Sequence, residues 1–130
     1  MDSNVLGWSR AMAPGIMGNP ERPELAEELR DSLCRADPDI AKRFARVTFL
    51  SDNRADLDGL RTPTLLMQCA DDVTAPDAVG AFVHGHLPGG ELVRLQATGH
   101  CPHVSHPAEV IDVRGAYLGR AGAAATHAAA

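Results

Sequence analysis

The sequence predicts an α/β protein in which helices come first and a parallel strand–helix–strand–helix unit follows. Up to about residue 51 the apolar residues recur every three or four positions, the period of a helix face. After Pro63 they fall into short runs, "TPTLLMQCADD" and "ELVRLQA", each followed by a helical pattern. Short apolar runs alternating with helices read as buried strands of a parallel sheet with crossover connections.

Each element has its own signal. Val5, Leu6, Trp8, Met12, Ile16 and Met17 suggest a short first helix, interrupted by Pro14 and Gly15, with a turn at "GNPERP". Pro23 suits a first helical turn, and Leu25, Leu29 and Leu33 then share one face. Glu27, Glu28, Arg30 and Asp31 make the opposite, solvated face. Asp37 before Pro38 is placed to cap a third helix, in which Ile40, Phe44 and Val47 form another apolar stripe. A strand is expected near 64–69, a helix near 76–86, a strand near 91–96 and a helix near 107–119. The tail AGAAATHAAA has no core-forming stripe and is expected to fray.

With 130 residues the chain has material for one domain with a modest core. Its net charge of −5 argues against nucleic acid, whose binders need a basic face. No apolar run approaches the roughly 20 residues that span a bilayer, so no membrane partner is expected. The start, MDSNVLGWSR, lacks the charged and apolar pattern of a secretion signal. Cys34, Cys69 and Cys101 are odd in number and lack C-x-x-C spacing, which favours a reducing, cytoplasmic setting.

Chemistry concentrates in the two loops that follow the two expected strands. Such loops lie at the carboxyl edge of a parallel sheet, where open α/β folds place their sites. "CADDVTAP" offers carboxylates and "ATGHCPHVSHP" offers histidines. Adjacent strands would let a carboxylate accept from one imidazole nitrogen and leave the other free as a base. A competing reading makes His100, His103 and His106, with Cys101, a zinc site. Pro102 and Pro107 argue against the continuous helix that would align them, so no metal and no cofactor are expected. The plainest reading makes all three histidines ordinary loop residues.

"NPERPE", "DPDIAKRFAR", "FLSDNRADL", "QCADD" and "GHCPHVSHP" together resemble the α/β-hydrolase family, over residues 4 to 119 or so. Within it they are most similar to the RsbQ-type stress-signalling branch, related to strigolactone and karrikin receptor hydrolases. The resemblance implies the carboxyl-terminal half of an α/β-hydrolase fold. Residues 1–60 would be lid (cap) helices and the return to the core, 61–120 the carboxyl-terminal part of the core, and 121–130 a disordered tail. Asp72, followed three residues later by Pro76, would be the orienting acid and His100 the general base. Asp71 is the rival acid. His103 would support the loop, His106 would start the last helix, and His84 and His86 would face solvent. Trp8, Phe44 and Phe49 would line a hydrophobic pocket, although plain helix packing explains each equally well.

The resemblance also implies a serine nucleophile on a G-x-S-x-G elbow. Ser3, Ser9, Ser32, Ser51 and Ser105 do not stand in that context. The sequence is thus expected to begin inside the lid, and the 130 residues are expected to be inactive alone. The function implied is a serine-type hydrolase acting on an ester or similar small apolar substrate, with this chain supplying acid and base. A complementary amino-terminal half is the expected partner. The alternatives are an RsbQ-like regulator of sigma-factor signalling that binds a ligand and a signalling phosphatase, or an inactive fragment.

Overall fold

A computed structural model describes residues 5–128, with side chains described for residues 7, 8 and 10–121. Three helices come first: α1 (Val5–Met17), α2 (Pro23–Arg35) and α3 (Pro38–Leu50). A 3-10 segment, Arg54–Gly59, leads to strand β1 (Leu65–Ala70). Helix α4 (Asp77–Gly85), strand β2 (Glu91–Thr98), a four-residue helix α5 (Pro102–Ser105) and helix α6 (Pro107–Ala128) complete the order.

β1 and β2 pair in parallel, starting at Leu65 opposite Glu91. The α4 crossover between them allows this pairing, which a tight hairpin could not. One sheet face buries Cys69, Leu95 and Ala97, with Met67, Val93, Val110 and Val113 packed against them, so α6 covers that face. Alternate β-strand residues point to opposite faces, so Gln68 and Arg94 face α4. There Gln68 lies in the notch left by Gly80, and Arg94 pairs with Asp77. This face is held by polar contacts as well as packing.

The first helix departs from expectation at Pro14, which lies inside α1 without ending it. A proline removes one helical hydrogen bond and ordinarily breaks a helix interior. Tertiary docking outweighs that here: Ala13 and Met17 on α1 are buried, α1 packs on α2, and the Gly18 N–H closes the last turn on the Pro14 carbonyl at 2.9 Å.

Helix α3 forms where expected, and Asp37 caps it, accepting from the N–H groups of Asp39 and Ile40 at 2.9 and 3.1 Å. Its apolar stripe is not buried. Ile40, Phe44 and Val47 are all exposed, whereas Ala41, Lys42 and Ala45 are partly covered. The helix turns its small side inward and its bulky side outward.

Helix α6 runs on to Ala128, past the end expected near residue 119. Alanine has the highest intrinsic helix propensity, which lets the helix continue without an apolar stripe. Residues 129 and 130 lie outside the described residues. Among the described residues no helix is long and apolar enough to cross a membrane.

Candidate active site

Both loops leave the sheet from the same rung, where Ala70 of β1 stands opposite Thr98 of β2. Asp72 is two residues beyond the first and His100 two residues beyond the second. Asp71 takes the intervening position with φ of +51°, a left-handed conformation that aspartate tolerates better than most residues. That turn leaves Asp71 exposed and Asp72 buried.

Asp72 uses its two oxygens for different tasks. Oδ1 accepts from the backbone N–H groups of Thr74 and Ala75 at 2.8 and 2.9 Å, which fixes the loop. Oδ2 lies 2.8 Å from Nδ1 of His100. Burial pushes the Asp72 carboxyl up, but the Ala75 N–H, the His100 ring and the Thr74 N–H together pull harder and hold it below the ordinary carboxylate range. An ionised carboxylate can only accept, so the proton between the two groups sits on Nδ1. Nε2 of His100 is then the free lone pair. The Asp72 side chain is 6% exposed and that of His100 44% exposed, so the acid is shielded while the imidazole faces open space.

The end of α1 and the turn after it hold the histidine loop from the other side. Gly99 has φ of +78°, and a Cβ there would lie 2.1 Å from the Met17 carbonyl oxygen. Only glycine lets the loop backbone lie this close to the end of α1. The His100 N–H donates to the Ile16 carbonyl at 2.7 Å. Thr98 Oγ1 donates to the Gly18 carbonyl at 2.8 Å. Arg22 donates to Asn19 Oδ1 at 3.0 Å and to the Ser105 carbonyl at 2.7 Å. Asn19, Arg22 and Ser105 escape a reading of the loops alone; the only sequence signal for the first two was their presence in "NPERPE".

Other candidates are dispersed. His103 is exposed on α5. His106 bonds Ser105 Oγ through Nδ1 at 2.9 Å, just ahead of α6. His84 reaches the Gly90 carbonyl at 3.1 Å and His86 the Phe82 carbonyl at 2.8 Å, both at the end of α4; His84 is exposed and His86 partly buried. Among the described residues no three His, Cys, Asp or Glu side chains are placed to hold a metal ion. Burial, reinforced by Asp72, pushes the Cys69 thiol up to about 11 and raises Cys101 as well. Both are therefore thiols at neutral pH rather than the thiolates that attack or bind metal.

The three proposed pocket residues are not gathered. Trp8 is partly buried on α1, whereas Phe44 and Phe49 are 74% and 66% exposed on α3. A cavity of about 410 Å³ does lie between α1 and α2, lined by Ala13, Pro14, Met17, Pro23 and Ala26 with Arg10 and Arg30 at its polar side, and it includes none of the three. Helix α3 presents Phe44 and Phe49 outward.

Comparison with known proteins places the chain in a family. The model of the alpha/beta hydrolase family matches residues 2–113. Strigolactone esterase D14 of Arabidopsis thaliana is 34% identical over 85% of this chain and 41% of its own length. Karrikin insensitive 2 receptor CA of Petunia hybrida is 32% identical over 87% of this chain and 42% of its own. Among solved structures, a hydrolase from Oleispira antarctica superposes with a TM-score of 0.85 at 37% identity, covering 90% of this chain and 43% of that one. The chain thus spans about two fifths of the length of these three proteins.

Proposed function

The chain belongs to the alpha/beta hydrolase family, and from that premise we propose that Asp72 and His100 are the acid and base of a serine-hydrolase triad acting on an ester or similar small apolar substrate. The observation that carries this reading is the 2.8 Å contact from Asp72 Oδ2 to His100 Nδ1, with the opposite ring nitrogen facing open space. In the proposed reaction Nε2 takes the proton of a serine hydroxyl as its oxygen attacks the ester carbonyl, and returns it to the departing alcohol. Asp72 keeps Nδ1 protonated and stabilises the imidazolium formed midway.

The nucleophile and the oxyanion donors are proposed to lie on a segment outside these 130 residues, carrying a G-x-S-x-G elbow. An acid and a base support a nucleophile without replacing it. The 130-residue chain alone is therefore expected to give no hydrolysis of a nitrophenyl ester above background. Mixed with the amino-terminal half of the Oleispira hydrolase, it is expected to give turnover that His100→Ala abolishes and Asp72→Asn lowers by about 10⁴-fold. Turnover that survives both substitutions would place the chemistry elsewhere.

A second reading is ligand-dependent signalling through a protein partner such as a phosphatase. It is favoured by the receptor among the relatives and by the outward stripe of Ile40, Phe44 and Val47. Tight retention of a small apolar ligand by the reconstituted pair, with turnover too slow to matter, would favour it over the esterase reading.

A further inference from the structure

We infer that Glu109 is a positioning residue for His100, acting through a bulge in β2. The ladder pairs Gln68 with Arg94 and then Ala70 with Thr98. One residue of β1, Cys69, therefore stands opposite three of β2: Leu95, Gln96 and Ala97. In a regular strand successive N–H groups point to opposite edges. Here two successive ones turn to the same acceptor: the Gln96 N–H meets Glu109 Oε1 at 2.7 Å and the Ala97 N–H meets Oε2 at 3.0 Å. The Glu109 carboxylate, reaching from the first turn of α6, satisfies the Ala97 N–H, whose place on the Ala70 carbonyl is taken by the Gly99 N–H, together with the neighbouring Gln96 N–H.

The bulge decides which residue meets Asp72. It takes up two residues of β2 between the two rungs. Without it the register would set Ala70 opposite Gln96, and Thr98 would stand level with Asp72. His100 would then lie two residues farther along, about 6–7 Å at the rise of a β-strand, beyond a direct hydrogen bond. With the bulge in place, β2 rejoins β1 at Thr98, the Gly99 N–H bonds the Ala70 carbonyl at 3.2 Å, and His100 emerges beside Asp72. Bulges are a known means of re-aiming a side chain at the end of a strand. Glu109 touches neither His100 nor Asp72; its effect passes through the strand between them.

The functional consequence rests on the Asp72–His100 reading above, and the test separates the two. The full chain, labelled with ¹⁵N, reports the His100 tautomer through its ring-nitrogen shifts, assigned by their loss in His100→Gln. The unchanged protein should hold the proton on Nδ1. Glu109→Ala should lose that majority, leaving His100 mainly in the Nε2–H form, and should speed exchange of the Gln96 and Ala97 amides. Val113→Ala, which thins the same core from the same helix, should leave the tautomer unchanged, so general loosening does not mimic the effect. Should Glu109→Ala fold poorly, Glu109→Gln keeps the size but offers one acceptor where two are needed, and it should also lose the Nδ1–H majority. A tautomer unchanged in a folded Glu109 variant overturns the positioning role alone. A native protein without Nδ1–H overturns the Asp72–His100 pair and the positioning role together.

Discussion

Ala97 on β2 is wholly shielded from solvent, whereas Phe44 on α3 is 74% exposed, although aromatic residues bring far more apolar area to a core than alanine does. The two regions differ in how they are held. The ends of α3 and the turn after it rest on local bonds, from Asp37 to the N–H groups of Asp39 and Ile40 and between Asp52 and Arg54. The histidine loop rests on partners far away in sequence: His100 and Asp72 are 28 residues apart, Thr98 and Gly18 are 80, and Arg22 and Ser105 are 83. A local pattern is enough to form a helix and cap it. Burial requires a second surface, and among the described residues the bulky stripe of α3 has none.

The largest effect should come from Gly99. Gly99→Ala would force a Cβ into the Met17 carbonyl at a positive φ, separating α1 from the histidine loop or straining both. A loss of about 3 kcal/mol or more is expected in urea unfolding. The N–H of His100 should lose its exchange protection at the same time, because its acceptor is Ile16 on α1. A loss well under 1 kcal/mol, within the range of ordinary surface changes, would mean α1 docks on the loop less tightly than the two backbones indicate.

The sequence made the alternation of elements legible because helix and strand periods are local properties. It also drew attention to the two loops, because carboxylates and histidines in successive strand-to-helix loops share one sheet edge if the strands are parallel neighbours; the choice of Asp72 and His100 came from the resemblance to α/β-hydrolases. It could not reveal Glu109, which reads as an ordinary acid near a helix start; its partners are backbone groups at a bulge that leaves no mark in the residue pattern. Gln68 was hidden for the same reason. It reads as a polar break in an apolar strand, yet it bonds the Ala75 carbonyl at 2.9 Å and so secures the acid loop. The stripe of α3 was legible as a face, but periodicity identifies a face without saying what covers it.

Asp72→Asn should have the next largest effect. Its Oδ1 would still accept from Thr74 and Ala75, which leaves the new NH₂ facing Nδ1 of His100. The imidazole would then accept at Nδ1 and carry its proton on Nε2, the wrong tautomer for a base. The buried, charge-assisted bond lost is worth about 1–3 kcal/mol. The pH dependence follows from the lowered carboxyl. A group whose folded value lies below its unfolded value, about 3.9 for Asp, stabilises fully above that value. Its contribution is lost as pH falls through the lower folded value. The native protein should therefore lose stability below about pH 4, and Asp72→Asn should flatten that part of the curve. Unfolding midpoints measured from pH 6 down to pH 2 would show equal slopes if the pair contributes nothing.

The smallest effect should come from the residue that looks most like core in the sequence. Phe44→Ser removes a large apolar side chain that is already mostly in water, so little transfer free energy is lost. The change in unfolding free energy should stay within about 0.5 kcal/mol. Leu95→Ala, in the shielded sheet core, should cost about 2–5 kcal/mol. The ratio between the two substitutions measures how unequal the two regions are. It also tests whether α3 stays uncovered in solution. If the chain self-associates through the Ile40–Phe44–Val47 face, Phe44→Ser should lower the sedimentation coefficient to that of a monomer, and unfolding should depend on protein concentration before the substitution and not after. A loss near that of Leu95→Ala in a monomeric sample would mean that Phe44 is packed within its own chain, and the contrast between α3 and the sheet would fail.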